Sequence, residues 1–268
     1  MKIAALQMVS AVEWSSNQAQ AQSLLEQAAA QDVELAVLPE YFCIMGRKDT
    51  DKLALQERFG DGPIQSFLSD TAKRLGIWIV GGTLPLSTND PLKVTNSSLV
   101  FNPQGECVTR YDKIHLFRFT QGQESYDESR VLVPGQNPVA FDLPSRDGSS
   151  YRVGLSICYD LRFPELFRQL NSHLLLAPSA FTYTTGQAHW ELLLRARATE
   201  NLCYVLASAQ GGLHENGRTT WGHSMVVGPW GQVLSLQSSG PGVVISDIDH
   251  TAIQECRTKL PALDHRCL

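Results

Sequence analysis

The sequence predicts an α/β fold in which two sheets lie face to face between layers of helices, an α-β-β-α sandwich. Apolar runs of strand length alternate with amphipathic stretches of helix length along the chain. The apolar runs show no regular alternation with polar residues, which is typical of strands covered on both faces. The number of runs indicates more than one sheet layer, and two packed sheets with helices outside them fit this pattern.

Segments rich in leucine, isoleucine and valine are predicted as strands, because they are short, apolar and bounded by turn residues. In chain order these segments are Lys2–Met8, Glu34–Leu38, Ile77–Val80, Asn96–Phe101, Arg152–Ile157, His173–Ala177, Cys203–Ala209, Gly222–Gly228, Gln232–Leu236 and Gly242–Ile248.

The helices are predicted from apolar spacing and from residues that start or stop a helix. Leu24, Leu25 and Ala28 share one face of the first helix. Pro63 suits the first turn of the second helix, and Gly76 is a typical stop. The predicted helices span Asn17–Gln31, Pro63–Leu75, Pro164–Leu170, Ala188–Asn201 and Thr251–Lys259.

Composition indicates a globular enzyme-sized domain rather than a binder of nucleic acid or membrane. The chain has 268 residues, 22 Lys and Arg against 27 Asp and Glu, and a formal charge of −5. A charge-driven nucleic-acid binder would be basic. The longest apolar runs fall far short of the roughly 20 residues of a membrane span. With no linker, repeat or low-complexity tract, we expect a single domain over residues 1–268.

The N-terminus and the cysteines indicate a cytoplasmic protein. The segment MKIAALQMVS turns polar early and lacks a cleavage pattern, so we interpret it as a strand and not a signal peptide. The six cysteines form no C-x-x-C pair. Without an export signal they are expected to be reduced thiols, most of them packed in the core.

Three reactive side chains each lie at or near the end of a predicted strand or apolar run. Glu40 follows the run ELAVL, Lys113 lies within YDKIHLF, and Cys158 ends a strand in GLSICYDLRFPE. Strand ends line the crevices where α/β proteins bind ligands. Taken singly, the glutamate could be an exposed turn residue, the lysine a strand-edge residue facing water, and the cysteine a buried structural thiol.

Together the three residues supply the parts of a cysteine hydrolase. Cys158 enters a turn before a helix, as at a nucleophile elbow. Nearby N–H groups and the helix N-terminus are expected to favour its thiolate. A nucleophile needs a base, and a tetrahedral intermediate needs positive charge near its oxygen. No metal or organic cofactor is required, the histidines lack metal-ligand spacing, and Gly81-Gly82 lacks the nucleotide-binding pattern G-x-G-x-x-G.

The motifs LPEYF, YDKIHLF and ICYDLRFPELF, over nearly the whole chain, resemble those of the nitrilase superfamily of carbon–nitrogen hydrolases. The resemblance implies Glu40 as general base, Lys113 as oxyanion stabiliser and Cys158 as nucleophile. It also implies a second acid, for which E-S-x-x-x-x-P-G favours Glu128 over the competing Glu124. It further implies a homodimer or larger oligomer with a four-layer sandwich, where Trp190 and Leu193 are candidate interface residues.

Residues 186–210, residues 221–231 and Pro164 resemble the deaminated glutathione amidase branch of that family. This resemblance implies a small carboxylate-bearing amide as substrate, cleaved to 2-oxoglutarate and cysteinylglycine through a thioester. Tyr159, Phe181 and Thr182 are expected to contact it. A carboxylate attracts arginine, and the candidates are Arg162, Arg195, Arg197 and Arg218.

Other functions remain open from the sequence. An ω-amidase acting on 2-oxoglutaramate, a nitrilase or an N-carbamoyl hydrolase would share the same chemistry. A non-catalytic binding protein on the same fold is the alternative from another class, although all three reactive residues are present. A thiol redox protein is disfavoured, because no resolving cysteine accompanies Cys158.

Overall fold

The computed structural model describes residues 1–122 and 124–267, and the side chain of Glu124, the alternative second acid, lies outside the described part. The strands of the two main sheets and of two hairpins are β1 (Lys2–Gln7), β2 (Leu35–Val37), β3 (Trp78–Val80), β4 (Leu84–Ser87), β5 (Val94–Phe101), β6 (Cys107–Asp112), β7 (Arg118–Gln121), β8 (Glu124–Asp127), β9 (Ala140–Pro144), β10 (Ser150–Leu155), β11 (Leu174–Leu176), β12 (Tyr204–Ala207), β13 (Gly211–Leu213), β14 (Thr219–Trp221), β15 (Ser224–Val227), β16 (Val233–Gln237) and β17 (Gly242–Asp247).

The α-helices of the described chain are α1 (Trp14–Ala29), α2 (Pro63–Leu75), α3 (Pro164–Leu170), α4 (Tyr183–Asn201) and α5 (His250–Lys259). Short 3₁₀ helices span Asp49–Leu55, Glu128–Arg130 and Cys158–Arg162. None of these helices combines the length and the apolar character that crossing a membrane requires.

The first sheet runs in the spatial order β17-β1-β2-β3-β5-β4, with β6 paired to β5. The second runs β16-β15-β12-β11-β10-β9. Strands β1, β2 and β3 are parallel, and so are β10, β11 and β12. The remaining pairs, β7 with β8 and β13 with β14, form two antiparallel hairpins.

Side-chain alternation on β1 divides the interior into two layers. Ile3 and Ala5 pack in a core shared with the second sheet, whereas Ala4 and Leu6 pack in a core shared with α1. Because successive residues of a strand point to opposite faces, a fully apolar strand serves both layers. Helices α1 and α2 cover the first sheet, and α3 and α4 cover the second. This is the predicted α-β-β-α sandwich.

Most predicted elements are present, with shifted ends. Helix α2 ends at Gly76, whose backbone adopts the left-handed conformation typical of a C-cap. Helix α4 begins earlier than predicted, because the Thr182 hydroxyl accepts the Thr185 N–H and caps it there. Strands β4, β6 and β9 and the hairpins β7–β8 and β13–β14 were missed. Trp190, which the sequence left as a core or interface residue, is buried in the core, and its indole N–H donates to the His223 carbonyl.

Candidate active site

Lys113 lies at the centre of a buried charge cluster between the two predicted acids. Its Nζ is 2.8 Å from Oε1 of Glu40 and 2.9 Å from Oε2 of Glu128. Burial disfavours the ammonium, but the Glu128 and Glu40 carboxylates outweigh that effect and raise the pKa of Lys113 well above its usual range. Lys113 is therefore a permanent cation. It follows β6, one residue beyond the last strand position.

Three groups donate hydrogen bonds to the Glu40 carboxylate. Oε1 accepts the Lys113 ammonium and also the Asn96 side-chain amide at 2.9 Å, while Oε2 accepts the backbone N–H of Ala180 at 2.9 Å. The carboxyl is almost fully buried, and this burial raises its pKa despite the attraction of Lys113. A carboxylate with a raised pKa is suited to accept and return protons near neutral pH.

Cys158 sits on a sharp turn directly after β10. Its backbone has φ of 50°, and it opens the 3₁₀ helix Cys158–Arg162. A non-glycine residue in this left-handed region is strained, as at a nucleophile elbow. Burial and the Glu40 carboxylate raise the pKa of Cys158 well above its usual value. The direction of this shift is opposite to the one expected from the sequence, where the turn and helix start favour a thiolate, and Glu40 is the carboxylate beside the thiol.

Asp160 ties the lysine segment to the cysteine turn. Its buried carboxylate accepts the Tyr111 hydroxyl at 2.7 Å and the Ile157 N–H at 2.8 Å. It also contacts the His115 backbone N–H at 3.1 Å and the His115 ring at 2.7 Å. Tyr111 and His115 flank Lys113 in the chain. This one side chain therefore sets where Lys113 lies relative to Cys158, a role that sequence reasoning missed.

Glu128 is anchored independently of Lys113. Its Oε2 accepts the Phe117 N–H at 2.7 Å, and its Oε1 accepts the Tyr41 hydroxyl at 2.7 Å. Burial acts to raise its pKa, but Lys113, the Phe117 N–H and Tyr41 outweigh burial and leave it below the usual value. Glu40 and Glu128 thus have pKa values displaced in opposite directions. Such a pair is suited to one proton-transferring group and one fixed anion.

A cavity lined by charged and aromatic side chains opens onto Cys158. Tyr159, Phe181 and Thr182, predicted as substrate contacts, all line it, as do Glu40 and Glu128.

The structure separates the four candidate arginines into two groups. Arg162 and Arg218 line the cavity. Arg195 instead donates to the Gly231 carbonyl and pairs with Glu191, and Arg197 pairs with Glu200. The last two stabilise the fold around α4.

Three lining or supporting residues were missed by sequence reasoning. Asn96 looked like an ordinary strand residue, although it holds Glu40. Lys52 lies in the polar segment DTDKLALQ and resembled a solvated charge, although it lines the cavity. Tyr41 directly follows Glu40, and its chain position was the one available signal.

Within residues 1–122 and 124–267, no cluster of histidine, cysteine, aspartate or glutamate side chains is arranged to hold a metal ion. The position between the Glu40 and Glu128 carboxylates, where a cation would lie, is occupied by the Lys113 ammonium.

The two-sheet sandwich thus buries a carboxylate, an ammonium and a thiol close together, at Glu40, Lys113 and Cys158. The chain belongs to the carbon-nitrogen hydrolase family, whose model matches residues 2–258. It is an amidase-type hydrolase of that family.

Several proteins with known names or structures are similar to this chain over most of its length. A deaminated glutathione amidase of Yersinia enterocolitica is 37% identical over 271 residues, covering 98% of this chain and 92% of that protein. A chloroplastic omega-amidase of Arabidopsis thaliana is 36% identical over 252 residues, covering 91% of this chain and 66% of that protein. The solved structure of XC1258 from Xanthomonas campestris, a CN-hydrolase superfamily protein with an arsenic adduct in its active site, is 30% identical, with a TM-score of 0.86 over 100% of this chain and 98% of that one.

Proposed function

We propose that the chain is a cysteine-dependent amidase that cleaves deaminated glutathione to 2-oxoglutarate and cysteinylglycine through a thioester on Cys158. The observation that carries this proposal is the buried Glu40 carboxylate, which lies beside the Cys158 thiol and 2.8 Å from the Lys113 ammonium. Glu40 and Cys158 line one cavity, and Lys113 is buried in contact with Oε1 of Glu40.

In the first half-reaction Glu40 accepts the thiol proton as the Cys158 sulfur bonds to the amide carbonyl carbon. The carbonyl oxygen becomes an oxyanion, which Lys113 stabilises together with the backbone N–H of Tyr159. Tyr159 is the second residue of its 3₁₀ helix, where N–H groups have no partner within the helix. The carbon–nitrogen bond then breaks, Glu40 delivers its proton to the departing amine, and a thioester remains.

In the second half-reaction Glu40 accepts a proton from water, whose oxygen attacks the thioester carbonyl. A second oxyanion forms at the same place, the carbon–sulfur bond breaks, and the sulfur recovers a proton from Glu40. The raised pKa of Glu40 suits both directions of transfer. No metal or organic cofactor takes part in either step.

Glu128 positions Lys113 in this mechanism. Its carboxylate holds the ammonium at 2.9 Å and is itself fixed by hydrogen bonds from the Phe117 N–H and the Tyr41 hydroxyl. It keeps the cation in place when the Glu40 carboxylate is neutralised by the thiol proton.

The acyl part of the substrate carries a carboxylate, for which Arg162 is the proposed partner. Its guanidinium lies over the rings of Tyr159 and Phe181, at 5.8 and 5.7 Å from their centroids. The guanidinium also contacts the His189 ring nitrogen. Because this ring carries no negative charge, Arg162 can still pair with a carboxylate of the substrate. Phe181 and Thr182 form the adjoining wall.

The alternative substrate is 2-oxoglutaramate, whose acyl part is the same and whose leaving group is ammonia. It is supported by the similarity to the omega-amidase. The two differ only beyond the scissile nitrogen, so the product identifies the activity.

Intact-protein mass spectrometry with parallel product analysis tests the proposal. Wild-type protein incubated with deaminated glutathione should release cysteinylglycine, and Cys158→Ala should release none while unfolding at the same temperature. The matched control is Cys107→Ser, because Cys107 is also a free thiol but is exposed on β6. Equal turnover by Cys158→Ala and wild type would overturn the mechanism, and turnover of 2-oxoglutaramate alone would replace the substrate.

A further inference from the structure

Two cations besides Arg162 line the Cys158 cavity, namely Lys52 and Arg218. They come from distant parts of the chain: Lys52 lies in the 3₁₀ helix Asp49–Leu55, and Arg218 lies in the turn between β13 and β14. The mechanism above uses neither. Their convergence on one cavity therefore requires another explanation.

Lys52 is a partly buried cation whose contact is an aromatic face. Its Nζ lies 4.7 Å from the centroid of the Tyr41 ring. Among the residues that the structure describes, no carboxylate is within the 4.0 Å of an ion pair with it. Burial lowers the pKa of Lys52 although Glu128 and Asp49 act to raise it. The ammonium is thus partly withdrawn from water without receiving a counterion within ion-pair distance.

Arg218 is likewise a cation whose contact is an aromatic ring. Its guanidinium lies 4.8 Å from the centroid of the Tyr126 ring. In the described part of the chain, no side-chain or backbone acceptor lies within hydrogen-bond distance of that guanidinium. Five N–H donors are left for a ligand.

The carboxylates that line the cavity in the described part of the chain form no ion pair with Lys52 or Arg218. Glu40 and Glu128 are both committed to Lys113. The Asp127 carboxylate accepts a hydrogen bond from the Ser129 hydroxyl at 2.6 Å. Asp49 lines the cavity but is exposed to solvent and stands beyond 4.0 Å of Lys52. Lys52 and Arg218 therefore remain available to an anion that enters from outside.

Arg162 differs from Lys52 and Arg218 in the space that it borders. Arg162, Phe181 and Thr182 line the cavity that contains Cys158. Lys52 and Arg218 line that cavity and also an adjoining hollow, whose lining includes neither Cys158 nor Arg162. Lys52 and Arg218 therefore lie where the Cys158 cavity meets this hollow, at a part of the lining that Arg162 does not share.

We propose that Lys52 and Arg218 bind the carboxylate of the leaving amine, so that the site selects amides whose amine part is a carboxylate-bearing peptide. This inference rests on the proposed amidase function and adds a specificity determinant to it. In cysteinylglycine the terminal carboxylate lies two residues from the scissile nitrogen, a reach of about 7 Å when extended. Ammonia, the leaving group from 2-oxoglutaramate, has nothing for these cations to bind.

Three substrates distinguish carboxylate binding by Lys52 and Arg218 from a structural role of the two residues. They are deaminated glutathione, its C-terminal carboxamide and 2-oxoglutaramate. They share the acyl part and differ in the charge beyond the scissile nitrogen. Wild-type kcat/KM should be about 10-fold or more higher for the acid than for the carboxamide, as expected for a charge-assisted contact. Lys52→Met and Arg218→Gln should each lower kcat/KM for the acid about 10-fold and change the other two less than about 3-fold.

Lys73→Met is the matched control, because Lys73 carries the same charge but is exposed on α2 and borders neither the Cys158 cavity nor the adjoining hollow. It should change none of the three values. An equal loss on all three substrates in Lys52→Met and Arg218→Gln would show a structural role and overturn the inference, as would equal wild-type rates on acid and carboxamide. If wild type cleaves 2-oxoglutaramate but neither cysteinylglycine compound, the proposed substrate and this inference both fail, and that pattern is distinct from the others.

Discussion

Gly82 supports the loop that carries Glu40, and replacing it with alanine should damage both stability and catalysis. Its backbone has φ of 48°, and a Cβ there would overlap the carbonyl groups of Leu38 and Pro39, directly before Glu40. Left-handed backbone costs a non-glycine residue about 1–2 kcal/mol. Overlap with backbone that has to move adds roughly 1–3 kcal/mol. The free energy of unfolding should therefore fall by about 3 kcal/mol.

Gly76→Ala separates these two contributions. Gly76 has φ of 65°, close to that of Gly82, but a Cβ at that position meets no atom within 4 Å. It should lose only the conformational part, about 1 kcal/mol. Urea denaturation followed by circular dichroism measures both values.

The activity of the two variants should differ more than their stability. Movement of Pro39 displaces the Glu40 carboxylate from the Cys158 thiol, and a misplacement of about 1 Å costs roughly 100-fold in rate. Gly82→Ala should therefore lose at least about 10-fold in kcat/KM, and Gly76→Ala should retain wild-type activity. If the two variants unfold within about 1 kcal/mol of each other and turn over equally, the close packing of Gly82 on Pro39 does not position Glu40.

Two further predictions concern pH. Because burial raises the pKa of Glu40 above 4.5 and the carboxylate form is the base, kcat/KM should rise with pH through an inflection above 4.5; an inflection at or below that value would contradict the role of Glu40. His173 has its pKa lowered from 6.5 to about 4 by burial and by Arg257, and its ring nitrogen accepts the Arg152 N–H at 3.0 Å. Between these two pH values the unfolded chain binds a proton that the folded chain does not, so the free energy of unfolding should fall as pH drops through this window. His173→Gln should flatten that fall in urea titrations, and an unchanged slope would refute the assignment.

The reactive residues were recognisable from the sequence because each lies next to an apolar segment. A strand buried on both faces forces its neighbouring polar residue to the sheet edge, which is why Glu40 and Cys158 could be named without coordinates. Their partners were not recognisable in this way. Asn96 lies within a strand and Asp160 within a helical turn, and neither position distinguishes a residue that organises the site from one that faces water.

The pKa of the Cys158 thiol is a second property that local sequence reasoning did not anticipate. The turn and helix start at Cys158 favour a thiolate when considered alone. In the folded chain the thiol is buried beside Glu40, and both effects act in the opposite direction. Glu40 comes from the other sheet, so its influence on Cys158 exists only after the two sheets have packed.

The sequence by itself determined the layered α/β architecture and the carbon–nitrogen hydrolase motifs, because hydrophobic periodicity and short motifs act over a few residues. Tertiary structure decided which charges meet. Lys52 and Arg218 are more than 160 positions apart in the chain yet border one cavity, and Lys113 lies between two acids from different segments. Electrostatic interactions depend on distance and burial in three dimensions, which the order of residues along the chain does not specify.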